Sequence, residues 1–561
     1  MTARRVSVTD VVPLLGLLRH YSARRVCGDV VAGFAVAVTL VPQALGYGQV
    51  TGLHPVVGLY TTVAATVVFA LLTSTRLVAV GPSSTTAIMT YAAVSGRAGA
   101  DVHRAVALTA CLALLTGVLL LLPGRLRGLA TFMSGPVVLG YLAGTAVQIM
   151  AGQVPTLLGV HVSSNRSMVK LWQVLTHLDT VQVVTAVVGV VSLVAIIVLK
   201  KALQAAPVLR AAPTPLVCAA AIVVSAVADL AGHGVPLIGG VSGGLPTPVW
   251  PDVSAGDAWE LLPTAAGIAM VASIEGVAVL RRTGPSEGRV SLVRESVAIG
   301  AASAASGFLG GFAPMASAQR TLTARSSGAH SQLYQLVCAG FVMVALLTTG
   351  PVIALLPKAA LAAVVIVSAW RLIDVVGFEE LWRGWRAEAL LALAVMVAVL
   401  GLGVLHGLLV AVVLALLQLL RRVAWPHDSV LTVGDDGKPR EAAPDEVTDA
   451  EVLIYRVDAP LFFANVGRVH RRILALAAAR SSCSRYVVLD AEAVFHVDAT
   501  AAEVLARLTV DLREHDCELV LARPRDTVLA TLRTNPYEDG ATRRLRAFST
   551  VREAYAALRT R

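Results

Sequence analysis

Apolar runs recur along this chain from near residue 30 to near residue 421, and each run is about twenty residues long, the length a helix needs to cross a bilayer. The composition agrees, since 56% of the 561 residues are hydrophobic and only 15% are charged. A soluble chain of this length needs more charge to cover its surface. The sequence therefore predicts an α-helical polytopic membrane protein.

We predict fourteen helical segments in two halves of seven. The first half is predicted near residues 30–50, 56–73, 82–97, 104–123, 135–154, 181–200 and 214–231. The second half is predicted near residues 260–280, 292–311, 317–328, 332–350, 352–370, 388–402 and 403–421. A Gly- and Pro-rich stretch, 232–258, joins the halves. Residues 371–387 combine tryptophans with charges, which predicts an amphipathic helix at the inner membrane interface.

Basic residues predict the orientation of the spans. The net charge is +10, and its clusters fall on one side of the membrane if the spans alternate. These clusters are Arg4, Arg5, Arg19, Arg24, Arg25, Arg125, Arg127, Lys200, Lys201, Arg281, Arg282, Arg371, Arg421 and Arg422. We expect the protein to lie in the inner (plasma) membrane. The positive-inside pattern predicts that both of its termini are cytoplasmic. Because the bilayer accounts for this charge, we expect no nucleic-acid partner.

No enzymatic or metal-binding pattern stands out. The six cysteines show no CxxC spacing, so neither disulfides nor a metal site is predicted. They are Cys27, Cys111, Cys218, Cys338, Cys483 and Cys517. The sequence has no P-loop and no nucleophile–base pair, which argues against an enzyme and against a cofactor. The first apolar run lacks a small-residue cleavage site, so no removable signal peptide is expected.

Two predicted segments, 82–97 and 317–328, are too short to span the membrane. Each is the third of its half, and each follows helix breakers, Gly81-Pro82 in one case and Gly310-Gly311 with Pro314 in the other. Matching interrupted segments indicate an inverted-repeat transporter with its site near the middle of the membrane.

The beginnings of these half-helices suggest an anion site. A helix start presents unpaired N–H groups and a partial positive charge. The first start offers the hydroxyls of Ser83 and Ser84, and the second reads Ser317-Ala318-Gln319-Arg320. A charge such as Arg320 within a membrane is costly and usually functional. The alternative is that Arg320 only pairs with an acid or extends to the interface.

Two further polar residues lie in apolar segments. Glu275 in the eighth segment is a candidate for proton or coupling-ion binding, or for balancing the charge of Arg320. It is equally compatible with a structural ion pair to Arg281 and Arg282. Gln43, after Pro42 in the first segment, is either an anion ligand or a contact between helices.

The motifs together resemble the sulfate permease (SulP) family of anion transporters, whose animal relatives include prestin and pendrin. The matching residues are Gly28-Asp29, Val41-Pro42-Gln43-Ala44, Tyr47, Gly58-Leu59-Tyr60, Ser74-Thr75-Arg76, Val80-Gly81-Pro82-Ser83, Glu275, Arg294-Glu295 and Ser317 to Thr321. The resemblance implies seven-plus-seven inverted repeats divided into core and gate domains, an anion site between the third and tenth segments, elevator-like movement of the core, and a homodimer.

Two departures from the family pattern bear on selectivity and coupling. Gln319 stands where the family usually has a serine beside the anion, so selectivity is expected to differ. Sodium-coupled members have a hydroxyl one turn after the acid of segment eight, whereas Glu275 is followed there by Val279. Because a hard cation prefers oxygen ligands, we expect proton coupling or exchange rather than sodium coupling.

The residues after the last span predict a small α/β domain. We divide the chain into a cytoplasmic segment (1–27), a transmembrane domain (28–423), a linker (424–450) and a cytoplasmic domain (451–561). Strands are predicted at Glu451–Val457, Tyr486–Asp490 and Glu518–Ala522, with helices at Val466–Ala479 and Ala499–Leu512. This pattern, with Asp498 and Thr500 before the second helix, resembles the STAS domain. Asp498 and Thr500 are predicted helix caps, and the resemblance also makes Thr500 the nearest candidate for phosphorylation.

The sequence thus predicts a secondary active transporter of an inorganic anion, with sulfate preferred. Bicarbonate, chloride and a dicarboxylate are alternative cargoes. A passive anion channel and a membrane-anchored STAS signalling protein are alternative functions, and transport by protein without its tail would argue against the latter.

Overall fold

The computed structural model describes residues 21–99, 101–122, 134–162, 164, 167–203, 212–239, 247–283, 292–434, 438–442, 451–479, 485–534 and 536–559. The chain divides into two compact units, residues 1–415 and 416–561. The predictions for Arg4, Arg5, Arg19, Arg125, Arg127 and Cys483 lie outside the described residues. The other five cysteines are free thiols.

The first half of the membrane domain contains eight described helices. They are α1 (Ala23–Val50), α2 (Val57–Leu72), α3 (Ser84–Ala98), α4 (Val102–Leu121), α5 (Gly135–Leu158), α6 (Ser167–Thr176), α7 (Val183–Ala202) and α8 (Pro213–Val227). Seven of them match the predicted segments, and α6 was not predicted. The N-cap Asp101, whose carboxylate accepts the N–H of Arg104 at 3.1 Å, explains where α4 begins.

The second half repeats this order. Its helices are α9 (Ala255–Thr283), α10 (Leu292–Phe308), α11 (Ala318–Ser326), α12 (Leu333–Thr348), α13 (Gly350–Ala354), α14 (Lys358–Trp370), α15 (Val375–Gly384), α16 (Arg386–Leu402) and α17 (Val404–Ala424). The predicted single segment 352–370 was wrong, because Pro357 separates α13 from α14. Proline lacks an N–H and disfavours helical backbone in the residue before it. The amphipathic helix predicted within 371–387 is α15.

Apolar side chains on the outside of the bundle mark the lipid-facing surface. Among the described residues, seven helices are long and apolar enough to cross a membrane by length and composition. On α7, one of the most apolar, Val187, Val191, Val194 and Val198 are each more than half exposed. Such a surface is stable in hydrocarbon and not in water. The domain is therefore a multi-pass membrane domain.

The two halves are related repeats, because the contacts between them occur in reciprocal pairs. Helix α4 packs against α9 and α10, and its counterpart α12 packs against α1 and α2. Likewise α5 packs against α16, and α7 packs against α14. Exchanging the halves converts each contact into its partner. Helices α1–α4 with α9–α12 form a core bundle, and α5, α7, α14 and α16 belong to a gate bundle.

Close helix crossings in the core bundle depend on glycine. A Cβ atom on Gly58 of α2 would lie 1.8 Å from the carbonyl oxygen of Ala44 of α1. A Cβ on Gly117 of α4 would lie 2.7 Å from the carbonyl oxygen of Gly300 of α10. Small residues of this kind let helix backbones approach closely in membranes.

The second unit contains a six-stranded sheet. Its strands are β3 (Asp428–Val433), β4 (Pro439–Glu441), β5 (Val452–Val457), β6 (Tyr486–Asp490), β7 (Glu518–Ala522) and β8 (Arg546–Phe548), in the order β4-β3-β5-β6-β7-β8. Strands β5 to β8 are parallel, and β3 is antiparallel to β5. The three predicted strands are confirmed. The segment predicted as a linker contributes β3 and β4 to this sheet, so its described part belongs to the tail domain.

Helices cover both faces of the tail sheet. They are α18 (Val466–Ala478), α19 (Ala499–Glu514), α20 (Asp526–Thr534) and α21 (Val551–Arg559). Alternate residues of β6 point to opposite faces, since Val487 joins one buried cluster and Val488 the other. The predicted cap is confirmed, because the Asp498 carboxylate accepts the N–H of Ala501 at 2.7 Å. Thr500 is exposed in the first turn and does not cap the helix.

Candidate functional site

A short strand precedes each half-helix in the core bundle, and the two strands pair with each other. β1 (Ala79–Gly81) pairs antiparallel with β2 (Met315–Ser317), and Ala79 lies opposite Ser317. The strands were not predicted, because three residues are too few to show an alternating pattern. Each strand leads into one half-helix, so the ladder fixes where α3 and α11 begin.

The two helix starts lie at opposite ends of this ladder. The Ser83 hydroxyl caps α3 by accepting the N–H of Thr85 at 3.4 Å. The Ser317 hydroxyl caps α11 by accepting the N–H of Arg320 at 3.3 Å. Ser83 is four residues beyond Ala79, the residue opposite Ser317, which separates the caps by roughly 13 Å along the ladder. The two caps are therefore separate positions at the ends of the ladder, and the start of α3 is the one whose Pro82 carbonyl bonds to Arg320.

Arg320 links the second half-helix to the start of the first. Its side chain is 6% exposed. The guanidinium Nη1 donates to the carbonyl of Pro82 at 2.9 Å, and Nη2 donates to the carbonyl of Met315 at 3.2 Å. Burial excludes extension to the interface. The geometry places a full positive charge beside the start of α3, where it adds to the partial charge of the helix.

Two polar atoms near this point are buried without a hydrogen-bond partner among the described residues. They are Nε of Arg320 and the hydroxyl of Thr85, a residue that is 1% exposed. A buried unsatisfied group costs about 1–3 kcal/mol, more if charged. An anion at the start of α3 offers acceptor oxygens to both groups. This arrangement can therefore bind an anion without a metal, and the described residues contain no cluster of metal ligands.

The remaining predicted site residues fall into two environments. Gln43 and Ser84 are buried, 8% and 5% exposed, and Gln43 lies on α1, which packs against both half-helices. Ala318 is the first residue of α11, so its N–H lies at the helix start. Gln319, by contrast, is exposed. Its side chain points away from the buried side of α11 on which Arg320 lies.

Glu275 lies on α9, on the side that faces Arg320. Its half-buried carboxylate interacts electrostatically with the Arg320 guanidinium and with Tyr141. The side chains of Arg281 and Arg282, the partners in the alternative ion pair, lie outside the described residues. The guanidinium donates hydrogen bonds to two carbonyls, and its interaction with Glu275 is electrostatic and acts at longer range.

Sequence reasoning missed three polar residues that hold β1 in place. The Thr321 hydroxyl accepts the N–H of Ala79 at 3.0 Å and donates to the carbonyl of Ser317 at 2.7 Å. Gln332, the residue immediately before α12, and Gln335, in its first turn, also bond to the backbone of this segment. The available signal was a pair of glutamines three residues apart at the start of an otherwise apolar segment.

Comparison with known proteins adds independent findings. The profile of the Sulfate permease family matches residues 26–398, and that of the STAS domain matches residues 443–554. A protein of Mycobacterium tuberculosis named "Probable sulfate transporter" is 38% identical over 525 residues, covering 92% of each chain. Solute carrier family 26 member 6 of Homo sapiens is 28% identical, covering 81% of this chain and 63% of the human one.

Solved structures share the fold at low identity. The murine Solute Carrier 26 family member A9 anion transporter in the inward-facing state superimposes with a TM-score of 0.88 at 20% identity, covering 100% of this chain and 96% of the murine chain. The transmembrane domain of a cyanobacterial bicarbonate transporter gives a TM-score of 0.60 at 22% identity, covering 70% of this chain and 98% of the other. With the family match extending over most of the membrane domain, the chain belongs to the Sulfate permease family and carries a C-terminal STAS domain.

Proposed function

We propose that this protein is a secondary active transporter that carries an inorganic anion, sulfate, across the cytoplasmic membrane. The observation behind this proposal is the buried Arg320 guanidinium, which lies beside the start of α3 with its Nε unpaired. A permanent charge in that position is stable only if an anion or another acid compensates it. The name of the Mycobacterium tuberculosis relative that is 38% identical, "Probable sulfate transporter", supports sulfate as the cargo.

In this proposal the anion binds at the start of α3. The unpaired N–H groups of its first turn and the hydroxyls of Ser83, Ser84 and Thr85 donate to the anion's oxygens. Gln43, from α1, supplies a neutral donor. Arg320 provides the charge without holding the anion rigidly, because its two Nη groups are already occupied by carbonyls. Ser317 and the backbone N–H groups of Ala318 and Gln319 form the start of α11 at the opposite end of the ladder, where they offer further donors to the anion.

Coupling is assigned to Glu275. Protonation of its carboxylate removes the negative charge that faces Arg320, so the guanidinium attracts an incoming anion more strongly. Deprotonation of Glu275 restores a carboxylate that competes with the bound anion for the Arg320 charge, which favours release of the anion. This cycle couples anion uptake to protons, or permits exchange, and it requires no sodium. Val279, one turn after Glu275, offers no oxygen to a hard cation.

The translocation step is assigned to movement of the core bundle against the gate bundle. Both half-helices belong to the core bundle, so the site moves with it as a unit. A close contact between the bundles is made by Gly46 of α1, whose Cβ position lies 2.7 Å from the side chain of Val365 on α14. We further propose cytoplasmic termini, from the placement of basic residues, and a homodimer, from the family.

Uptake into proteoliposomes of the purified full chain tests the function. We expect radiolabelled sulfate to accumulate under an inward proton gradient and to be unaffected by a sodium gradient. Excess unlabelled bicarbonate, chloride or a dicarboxylate, added in separate assays, identifies a competing cargo. Absence of accumulation and of exchange with sulfate inside the vesicles would reject the proposal. Anion conductance independent of any counter-ion would instead identify a channel.

A further inference from the structure

Two buried glutamines lie at the start of α12, in the core bundle. Gln332 and Gln335 are 3% and 1% exposed, and three residues place their side chains on the same face of the helix. A buried carboxamide without partners is unfavourable, and more so within a membrane domain. The hydrogen-bond partners of the two side chains therefore indicate their structural role.

Both side chains bond to the backbone that leads into α3. The Gln335 carboxamide accepts the N–H of Val80 at 3.2 Å and donates to the carbonyl of Val78 at 3.0 Å. The Gln332 amide donates to the carbonyls of Val78 and Thr75 at 3.0 and 3.1 Å. Gln335 thus supplies one acceptor and one donor to a strand, as a neighbouring strand would.

These bonds use the edge of β1 that is turned away from β2. Backbone groups of residues 78 and 80 point to one side of an extended chain, and those of residues 79 and 81 point to the other. The N–H of Ala79 is accepted by Thr321 of α11 on the side of β2. β1 is consequently held on both edges, by β2 and α11 on one and by the glutamines on the other.

The glutamines are themselves fixed. The amide of Gln335 donates to the Oε1 of Gln332 at 2.5 Å. The loop before α12 is held by the buried Asp29 of α1, whose carboxylate accepts the N–H of His330 at 2.6 Å and the Ser331 hydroxyl at 2.7 Å. The chain of bonds runs from α1 through α12 to β1. Because the glutamine side chains that bond to β1 are themselves held by hydrogen bonds, the position of β1 relative to α12 is fixed.

We infer that Gln335 is a positioning residue for the anion site, an inference that rests on the function proposed above. It does not touch the anion. Val80 precedes Ser83, the cap of α3, by three residues, so a shift of β1 displaces the N–H groups of the first turn of α3. It also displaces the Pro82 carbonyl that holds Arg320. Loss of the Gln335 bonds should therefore weaken anion affinity rather than stability alone.

The test compares Gln335→Met with Gln148→Met. Gln148 is a matched control, because it is also a buried glutamine whose amide donates to a helix carbonyl, that of Val399 on α16, at 2.6 Å. Sulfate affinity is measured by equilibrium binding to the purified full chain, and the melting temperature is measured on the same samples. We expect both variants to have a lower melting temperature than the wild-type protein. Only Gln335→Met should raise the Kd for sulfate, by about tenfold, which corresponds to about 1.4 kcal/mol.

The outcomes separate the inference from the function on which it rests. An unchanged Kd in Gln335→Met would overturn the positioning role, as would an equal rise in both variants. Wild-type protein that binds no sulfate would reject the proposed cargo instead. If Gln335→Met does not yield folded protein, Gln335→Asn is the second test variant. Asparagine keeps the carboxamide, but its side chain is one methylene shorter and does not reach β1. The same rise in Kd is expected there, and wild-type affinity would count against the inference.

Discussion

Replacing Arg320 by methionine tests the electrostatic basis of the site. The change keeps an unbranched side chain of similar length and removes the charge and both hydrogen bonds, to Pro82 and Met315. Arg320→Lys is the companion variant. It retains the positive charge as a compact ammonium and loses the planar fork that bonds both carbonyls.

The structure gives the size of the expected effect. Nη1 lies 2.9 Å from the carbonyl oxygen of Pro82, which immediately precedes the cap of α3. An anion that is bonded to the first turn of α3 and also accepts the N–H of Nε lies about 4 Å from the guanidinium, and a unit charge at that separation contributes about 4 kcal/mol at an effective dielectric constant of about 20. That energy is a factor of about 1,000 in Kd, and the second charge of sulfate increases it. We expect Arg320→Lys to lose less than about tenfold.

The assay is equilibrium binding of radiolabelled sulfate to monodisperse protein, with Arg97→Met as the matched control. Arg97 lies at the other end of α3, roughly 20 Å from Ser84, and pairs with Glu260 at the surface at 3.0 Å. Its removal changes the net charge of the protein equally, and solvent should screen its effect on the site. Wild-type affinity in Arg320→Met would refute the reasoning. An equal loss in Arg97→Met would show that overall charge, rather than the local position of Arg320, governs binding.

Three further changes test coupling, helix capping and helix packing. Glu275→Gln should abolish sulfate accumulation driven by a proton gradient while sulfate exchange continues, and accumulation at the wild-type level would contradict its assignment. Asp498→Ala should destabilise the start of α19 by about 1 kcal/mol, seen as faster hydrogen exchange of the amide of Ala501; unchanged exchange would mean that the cap is dispensable. Gly58→Ala should lower the melting temperature sharply, since its Cβ would lie 1.8 Å from a backbone oxygen. Gly96→Ala, with open space around its Cβ position, is the control and should leave the melting temperature unchanged or slightly higher; equal melting temperatures in the two variants would contradict the packing argument.

The sequence alone determined the helices and most of the tail. Apolar runs and breakers predict the spans because span length is a local property of the chain, and the boundaries of α4, α10 and β6 agree closely with the prediction. The short third segment of each half was visible for the same reason. The Asp498 cap was also local, since cap and amide are three residues apart.

Only the tertiary structure decided how the site is assembled. Arg320 bonds to a carbonyl 238 residues earlier, and Gln335 bonds to an N–H 255 residues earlier. No local pattern specifies such partners, because they follow from packing the two halves against each other around β1 and β2. The break at Pro357 had a local signal, yet whether proline kinks or divides a helix in a membrane depends on the neighbours that satisfy the freed backbone groups. The sequence therefore predicted Arg320 and the half-helices as parts of the site, whereas the reciprocal packing of the two halves places the Arg320 charge at the start of α3.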